Sequence, residues 1–157
     1  MFILRVDDRL IHGQVIAGWV RPLGIERLIL SSDAIAPDEW LRKAYTLAVP
    51  DDISLAILTL DETIRSLGKG HPEKLMVVVE SVADAKYLID NGLGVEDLNL
   101  GCIGYREGRM EITPYIYLDA DEMKLLVQIG RNGIKVEARA LPNSPPVDVL
   151  AVIRSRQ

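Results

Sequence analysis

The segment LRVDDRLIHGQV, Leu4 to Val15, gathers two arginines, two acids and a histidine, with a glycine directly behind the histidine. Histidine is the side chain best matched to taking up and releasing a phosphoryl group near neutral pH. Its unperturbed pKa of roughly 6.5 leaves much of it as the free imidazole nucleophile. The phosphoramidate that forms is energetic and can be passed on. A site of this kind must also hold a dianionic group without neutralising it for good. Backbone N–H groups at a helix start do that well. HGQVIAGWV reads as such a start, with Gly13 allowing close backbone approach and Gln14 beside it. Arg9 is placed to give a charge-assisted hydrogen bond to phosphoryl oxygens. Asp7 and Asp8 either restrain Arg9 or Arg5 or orient the imidazole through one ring nitrogen; the spacing does not choose between them. The catalytic candidate is therefore His12. The phosphate-binding candidates are Arg9, Gly13 and Arg5, with Asp7, Asp8 and Gln14 in support.

Plainer readings of the same residues exist. A histidine before a glycine can simply cap or fill at a helix entrance, within a solvated ion-pair cluster. A rival chemistry is that of phospho-aspartate receiver domains. There Asp7 and Asp8 would hold a divalent metal and Asp61 would accept the phosphoryl group. That pattern wants a lysine after a later strand, where this chain offers Arg106, and Asp61 also suits a helix cap. His71, the other histidine, lies in the Gly- and Pro-containing GKGHPEK and reads as surface.

The elements that must position these residues follow from the hydrophobic pattern. Short apolar, β-branched runs alternate with longer segments of helical period. Strands are expected at Phe2–Val6, Arg27–Leu30, Ser54–Thr59, Leu75–Val79, Leu98–Leu100, Tyr115–Leu118 and Lys135–Arg139. Several are apolar almost throughout, as strands buried on both faces are. Helices are expected at Pro37–Ala48, Asp61–Leu67, Ser81–Asn91 and Asp119–Arg131, the first with Trp40, Leu41, Ala44 and Ala48 on one face. The Pro-rich tail either forms a short final helix or frays. Strand–helix alternation of this kind gives an α/β fold with a mostly parallel sheet. Ligands of such sheets sit at the carboxyl ends of the strands. DDRLIHG, Glu80–Ser81 and GCIGYREG all fall there.

The chain has 157 residues, enough for one domain, 1–157, with a sizeable core. A net charge of −5 does not favour nucleic acid or an anionic membrane as partner. The single cysteine, Cys102, cannot form an intramolecular disulfide and fits a reducing cytoplasm. The start, MFILRVDD, reaches acids too early for a signal-peptide core. No run approaches the ~20 apolar residues that span a bilayer. A soluble, cytoplasmic protein is expected. No metal or cofactor is expected, because the arginine and amides supply the positive field.

RVDDRLIHGQV, Arg5 to Val15, resembles the signature of the IIB subunits of the mannose/fructose/sorbose class of the bacterial sugar phosphotransferase system. The resemblance extends over RLILSSDAIAPDEWLRKAYTLAVP and LNLGCIGYREGR, and weakens after about Pro142. It implies a three-layer α/β/α sandwich with a mainly parallel central sheet. It implies that His12 accepts a phosphoryl group from a phosphohistidine of a IIA subunit and delivers it to a sugar bound by the membrane subunits IIC and IID. The protein would then be a phosphotransferase of the protein-Nπ-phosphohistidine–sugar type, peripheral to the inner membrane through those subunits. Arg9 and the amides around His12 and Gly13 would form the phosphate cradle, and Ser81 would add a donor. Where the family has a double glycine, this chain has Gly101–Cys102, and a buried, inert thiol is expected there. Trp19 and Arg21 are candidates to face a docking partner, and a homodimer is plausible because dimers are common. The alternative is a regulatory phosphohistidine module without sugar transport, and the plainest option is a binding protein whose histidine is never phosphorylated.

Overall fold

LMVVV, Leu75–Val79, forms strand β4 and is buried at every position. Alternate side chains of a strand point to opposite faces, so a strand apolar throughout must be covered on both sides. The computed structural model, which describes residues 1–68, 70–71 and 74–157, shows that covering. β4 lies between β2 (Arg27–Ser31) and β1 (Phe2–Asp7) in a seven-stranded sheet. The order is β3-β2-β4-β1-β5-β8-β9, with β3 at Ser54–Leu58, β5 at Asp97–Cys102, β8 at Lys135–Ala138 and β9 at Val147–Asp148. All pairings are parallel except that of β9, which runs antiparallel to β8.

Two apolar layers flank the sheet. Leu28, Leu30, Met76 and Val78 pack under one layer of helices. That layer comprises α1 (Gly13–Val15), a π-helical turn (Ile16–Val20), α2 (Arg21–Leu23) and α3 (Glu39–Ala48). The opposite side chains of the same strands, Ile29, Leu75, Val77 and Val79, pack under the other layer. That layer comprises α4 (Leu60–Leu67), α5 (Val82–Asp90), α6 (Ala120–Arg131) and α7 (Val149–Ser155). The chain moves outward from β1 to β3 on one side, then returns past β1 on the other, as right-handed crossovers require. The three-layer sandwich and its mainly parallel sheet are those expected.

The differences from expectation are local. Tyr115–Leu118 is not a strand of the main sheet. Its residues Ile116–Leu118 form β7, paired antiparallel with β6 (Met110–Thr113) in a separate two-stranded sheet. Pro114 and Tyr115 make the turn between them. On α3, Trp40 is 79% exposed; Leu41 and Tyr45 make the contact with the core instead. Trp40 and Leu41 stand about 100° apart around a helix, so the two cannot share a narrow buried stripe. The tail forms α7 rather than fraying, because Val149 and Ile153 are buried. His71 is exposed as expected and stacks on Phe2, with ring centroids 4.2 Å apart. Lys69, Pro72 and Glu73 of that loop lie outside the described residues.

Helix starts carry side-chain caps. In α6 the Asp119 carboxylate accepts from the Glu122 amide, and Glu122 reaches back to the Asp119 amide. Asp119→Ala should lower stability by about 1 kcal/mol. Leu126→Ala, which empties a fully buried position of the same helix, should cost about 2–5 kcal/mol. Urea denaturation followed by circular dichroism measures both.

Candidate functional site

Strand β1 carries Leu4 and Val6 on one face and Ile3, Arg5 and Asp7 on the other. Two charged side chains thus point into a face that is apolar elsewhere. Both are buried: Arg5 is 2% exposed and Asp7 0%. Burial on that scale demands partners for every charge. Arg5 Nη1 donates to Asn99 Oδ1 at 2.6 Å, and Arg5 Nη2 to Asp7 Oδ2 at 3.4 Å. The register Arg5↔Asn99 between β1 and β5 makes the first bond possible. The guanidinium also lies against the face of the Trp19 indole, 4.7 Å from its centroid. On its other side is Gly101, where any Cβ would overlap the guanidinium. Burial pulls the Arg5 pKa down from its ordinary value, and the charge and hydrogen bond of Asp7 pull it back up.

After Asp7 the chain turns sharply. The Arg9 amide donates to Asp7 Oδ1 at 3.0 Å, and the Leu10 amide to the Asp7 carbonyl at 2.9 Å. Leu10 has φ +58°, a left-handed conformation that costs an ordinary residue roughly 1–2 kcal/mol. Its buried side chain and the turn hydrogen bond hold it there. The turn carries His12 back over Asp7, and Nε2 sits 3.0 Å from Asp7 Oδ2. His12 is the N-cap of α1, its backbone extended and its carbonyl accepting from the Val15 and Ile16 amides. Its side chain makes no cap bond and is 19% exposed. A carboxylate against Nε2 favours the tautomer with its proton on Nε2 and its lone pair on Nδ1.

Around this pair stand the other predicted residues. Arg9 and Gln14 are exposed side by side, with Arg9 Nη2 donating to Gln14 Oε1 at 3.4 Å. Gly13 is exposed, and the Gly13 and Gln14 amides meet no protein acceptor among the described residues. Asp8 turns away from the histidine: Oδ2 accepts from the Gly104 amide at 2.7 Å. Arg5 does not reach the surface, so it supports Asp7 from behind rather than binding phosphate. Ser81 follows β4 and caps α5, its hydroxyl accepting from the Asp84 amide at 3.1 Å. Trp19 is buried, its Nε1 donating to the Ala140 carbonyl, so it forms no docking surface. Arg21 is exposed and paired with Asp52.

Asn99 and the pairing of Arg109 with Glu122 were not singled out from sequence, and Gly101 was noted there without its contact to Arg5. Arg109 donates twice to Glu122 and once to the Gly104 carbonyl at 2.7 Å, tying the start of α6 to the loop that binds Asp8. Asn99 could have been found only by knowing its register with Arg5. The period-two placement of Arg5 and Asp7 was visible in FILRVD.

Asp7, Asp8 and Cys102 bring three potential metal-ligand atoms together, the one such group among the described residues. Both Asp7 oxygens and Asp8 Oδ2 already accept hydrogen bonds from the protein. Burial, then Asp8 and Asp7, push the Cys102 thiol above its ordinary pKa, which makes it a poor thiolate. Asp61 follows β3, three strand positions from β1 or roughly 14 Å, and accepts from the Tyr87 hydroxyl. It cannot share a metal with Asp7 and Asp8, so the receiver arrangement is absent.

The chain is similar along its length to several known proteins. The fructose-specific EIIB component of Bacillus subtilis is 28% identical over 156 residues, covering 98% of this chain and 95% of its own. The sorbose-specific EIIB component of Lacticaseibacillus casei is 28% identical over 96% of this chain and 93% of its own. The chain spans about half the length, 47%, of the mannose-specific EIIAB component of Escherichia coli, at 25% identity. Among solved structures, manxB of Thermoanaerobacter tengcongensis superposes with a TM-score of 0.88 at 25% identity, over 98% of this chain and 95% of that one. The IIBSor domain of the Klebsiella pneumoniae sorbose permease, at 23% identity over 100% of this chain and 98% of that one, shares the fold with a TM-score of 0.88. The model of the PTS system sorbose subfamily IIB component matches residues 1–157, and the chain belongs to that family.

Proposed function

We propose that His12 is the phosphoryl carrier, charged by a phosphohistidine of a IIA subunit and discharged onto a hydroxyl of a sugar held by the membrane subunits IIC and IID. The observation that carries this reading is the 3.0 Å contact between His12 Nε2 and Asp7 Oδ2. A carboxylate behind one ring nitrogen fixes the tautomer and makes the other nitrogen the nucleophile. Nδ1 attacks the phosphorus of the donor. The Nδ1–P bond forms as the donor's N–P bond breaks, and the donor imidazole leaves with the electron pair. Nε2 keeps its proton, and Asp7 offsets the positive charge that the phosphorylated ring acquires. Arg9 and the Gly13 and Gln14 amides receive the phosphoryl oxygens. In the second step a sugar hydroxyl attacks phosphorus, the Nδ1–P bond breaks with its electron pair returning to Nδ1, and the hydroxyl proton passes to water. Both steps depend mainly on in-line positioning and electrostatics.

A IIA partner is supported by the Escherichia coli relative, which is named as an EIIAB component. No helix is long and apolar enough to cross a membrane, among the described residues. In this reading the chain works beside the membrane subunits, on the cytoplasmic side where the donor is charged.

Intact-mass analysis tests the assignment. With phosphoenolpyruvate, the general phosphotransferase proteins and a matching IIA subunit, the wild type should gain one acid-labile, base-stable phosphoryl group. His12→Ala should fold and gain none; a labelled His12→Ala, or an unlabelled wild type beside a charged donor, would refute the assignment. Asp7→Asn should slow acceptance by about 10²- to 10⁴-fold, measured by quenched flow, because the ring loses its tautomer control. Gly101→Ala should displace Arg5, lower stability by roughly 1–3 kcal/mol and slow acceptance without abolishing it. Urea denaturation and the same quenched-flow assay measure the two effects separately.

A further inference from the structure

On the face of the sheet opposite α1, helices α6 and α7 enclose a groove of about 590 Å³. The two helices approach closely because position 130 is glycine: a Cβ there would overlap Leu150 of α7. Met123, Val127, Leu150 and Ile153 line the floor. Ile153 is fully buried and the other three are half-buried. The rims carry Lys124 and Arg131 from α6, and Arg154 and Arg156 from the end of α7. All four cations are exposed. Among the described residues none of them is in an ion pair, and no Asp or Glu side chain lines the groove. In a chain of net charge −5 this is a marked segregation of sign.

We propose that the groove docks an acidic amphipathic helix of a partner protein. The apolar stripe of that helix would lie on the floor, and its carboxylates would face the cations on both rims. The twelve residues of α6 give a trough about 18 Å long, room for roughly three helical turns. Other occupants fit less well. A bilayer surface takes up apolar side chains that protrude, whereas these form the floor of a concavity. A single-stranded nucleic acid needs aromatic platforms, and no aromatic residue lines the groove, among the described residues. The helix of a second copy with two exposed large apolar side chains is α3, whose Trp40 and Leu47 are accompanied by Arg42 and Lys43. Those cations would meet cations.

The proposal does not depend on phosphoryl transfer at His12, and the test keeps the two apart. The probe is a blocked, fluorescein-labelled peptide of eighteen residues with leucines at helical spacing and glutamates on both flanks. A counterpart replaces each glutamate with lysine. The full chain should bind the glutamate peptide in fluorescence anisotropy and not its counterpart. K124E/R154E should bind the glutamate peptide roughly tenfold more weakly or worse, and should gain binding of the lysine peptide. Amide shifts on binding should centre on Met123, Val127, Leu150 and Ile153. Circular dichroism of the variant confirms its fold, and its phosphoryl acceptance should match wild type. Absence of glutamate-peptide binding, equal binding by the variant, or shifts elsewhere would overturn the proposal. So would binding to phosphatidylglycerol vesicles in place of the peptide, lost on the same charge reversals.

Discussion

The site rests on one buried carboxylate. Asp7 has no solvent exposure, and an isolated ionised group in such a place would cost several kcal/mol. Three neighbours make it tolerable: the Arg5 guanidinium, the Arg9 amide and the His12 ring. Each has a further task. Arg5 links the carboxylate to Asn99 on the next strand. The Arg9 amide closes the turn after β1. His12 carries the open nitrogen. Asp7 Oδ2 is shared between Arg5 and His12, so the carboxylate that contacts the imidazole is itself held in place by a cation.

That arrangement dictates features some distance away. A guanidinium buried beside β5 needs room, and Gly101 supplies it. It also needs a surface to lie on, and the Trp19 indole provides one. Trp19 can do so because the segment from Gly13 to Leu23 passes over β1, with Val15, Ile16, Trp19 and Val20 all directed inward. A π-helical turn, frequent at functional sites, lies within that segment. The Arg5 Nε, buried without a hydrogen-bond partner, marks how tightly this packing overrides polar satisfaction.

The far side of the active loop is fastened separately. Glu122 holds Arg109, Arg109 holds the Gly104 carbonyl, and the Gly104 amide holds Asp8. Two adjacent acids with similar surroundings in sequence therefore serve different ends. Asp7 governs the histidine, and Asp8 anchors the loop. With Leu10 kept in a left-handed conformation between them and His12, the loop has little freedom to carry the ring away from its carboxylate. The proposed carrier role, in which the ring meets a donor and then an acceptor in line, would gain from that stiffness.

The sequence by itself determined the layers and gathered the candidate chemistry in one segment. Runs such as LMVVV and SLAIL can only be strands covered on both faces, and their alternation with helical segments leaves an α/β sandwich as the consistent solution. His12, with Arg9 and Gly13 beside it, stood out as a candidate because imidazole, cation and helix start are neighbours along the chain. What the tertiary structure decided is which atoms meet across it. The choice between Asp7 and Asp8 depends on strand pleat and on the Leu10 turn. The role of Arg5 depends on the register of β1 with β5, which brings Asn99 and Gly101 to it from more than ninety residues away. The hairpin of β6 and β7 and the exposure of Trp40 depend likewise on what packs where. Local pattern encodes periodicity and neighbouring chemistry. Contacts between distant segments follow from packing and register, and those arise only when the sheet is assembled.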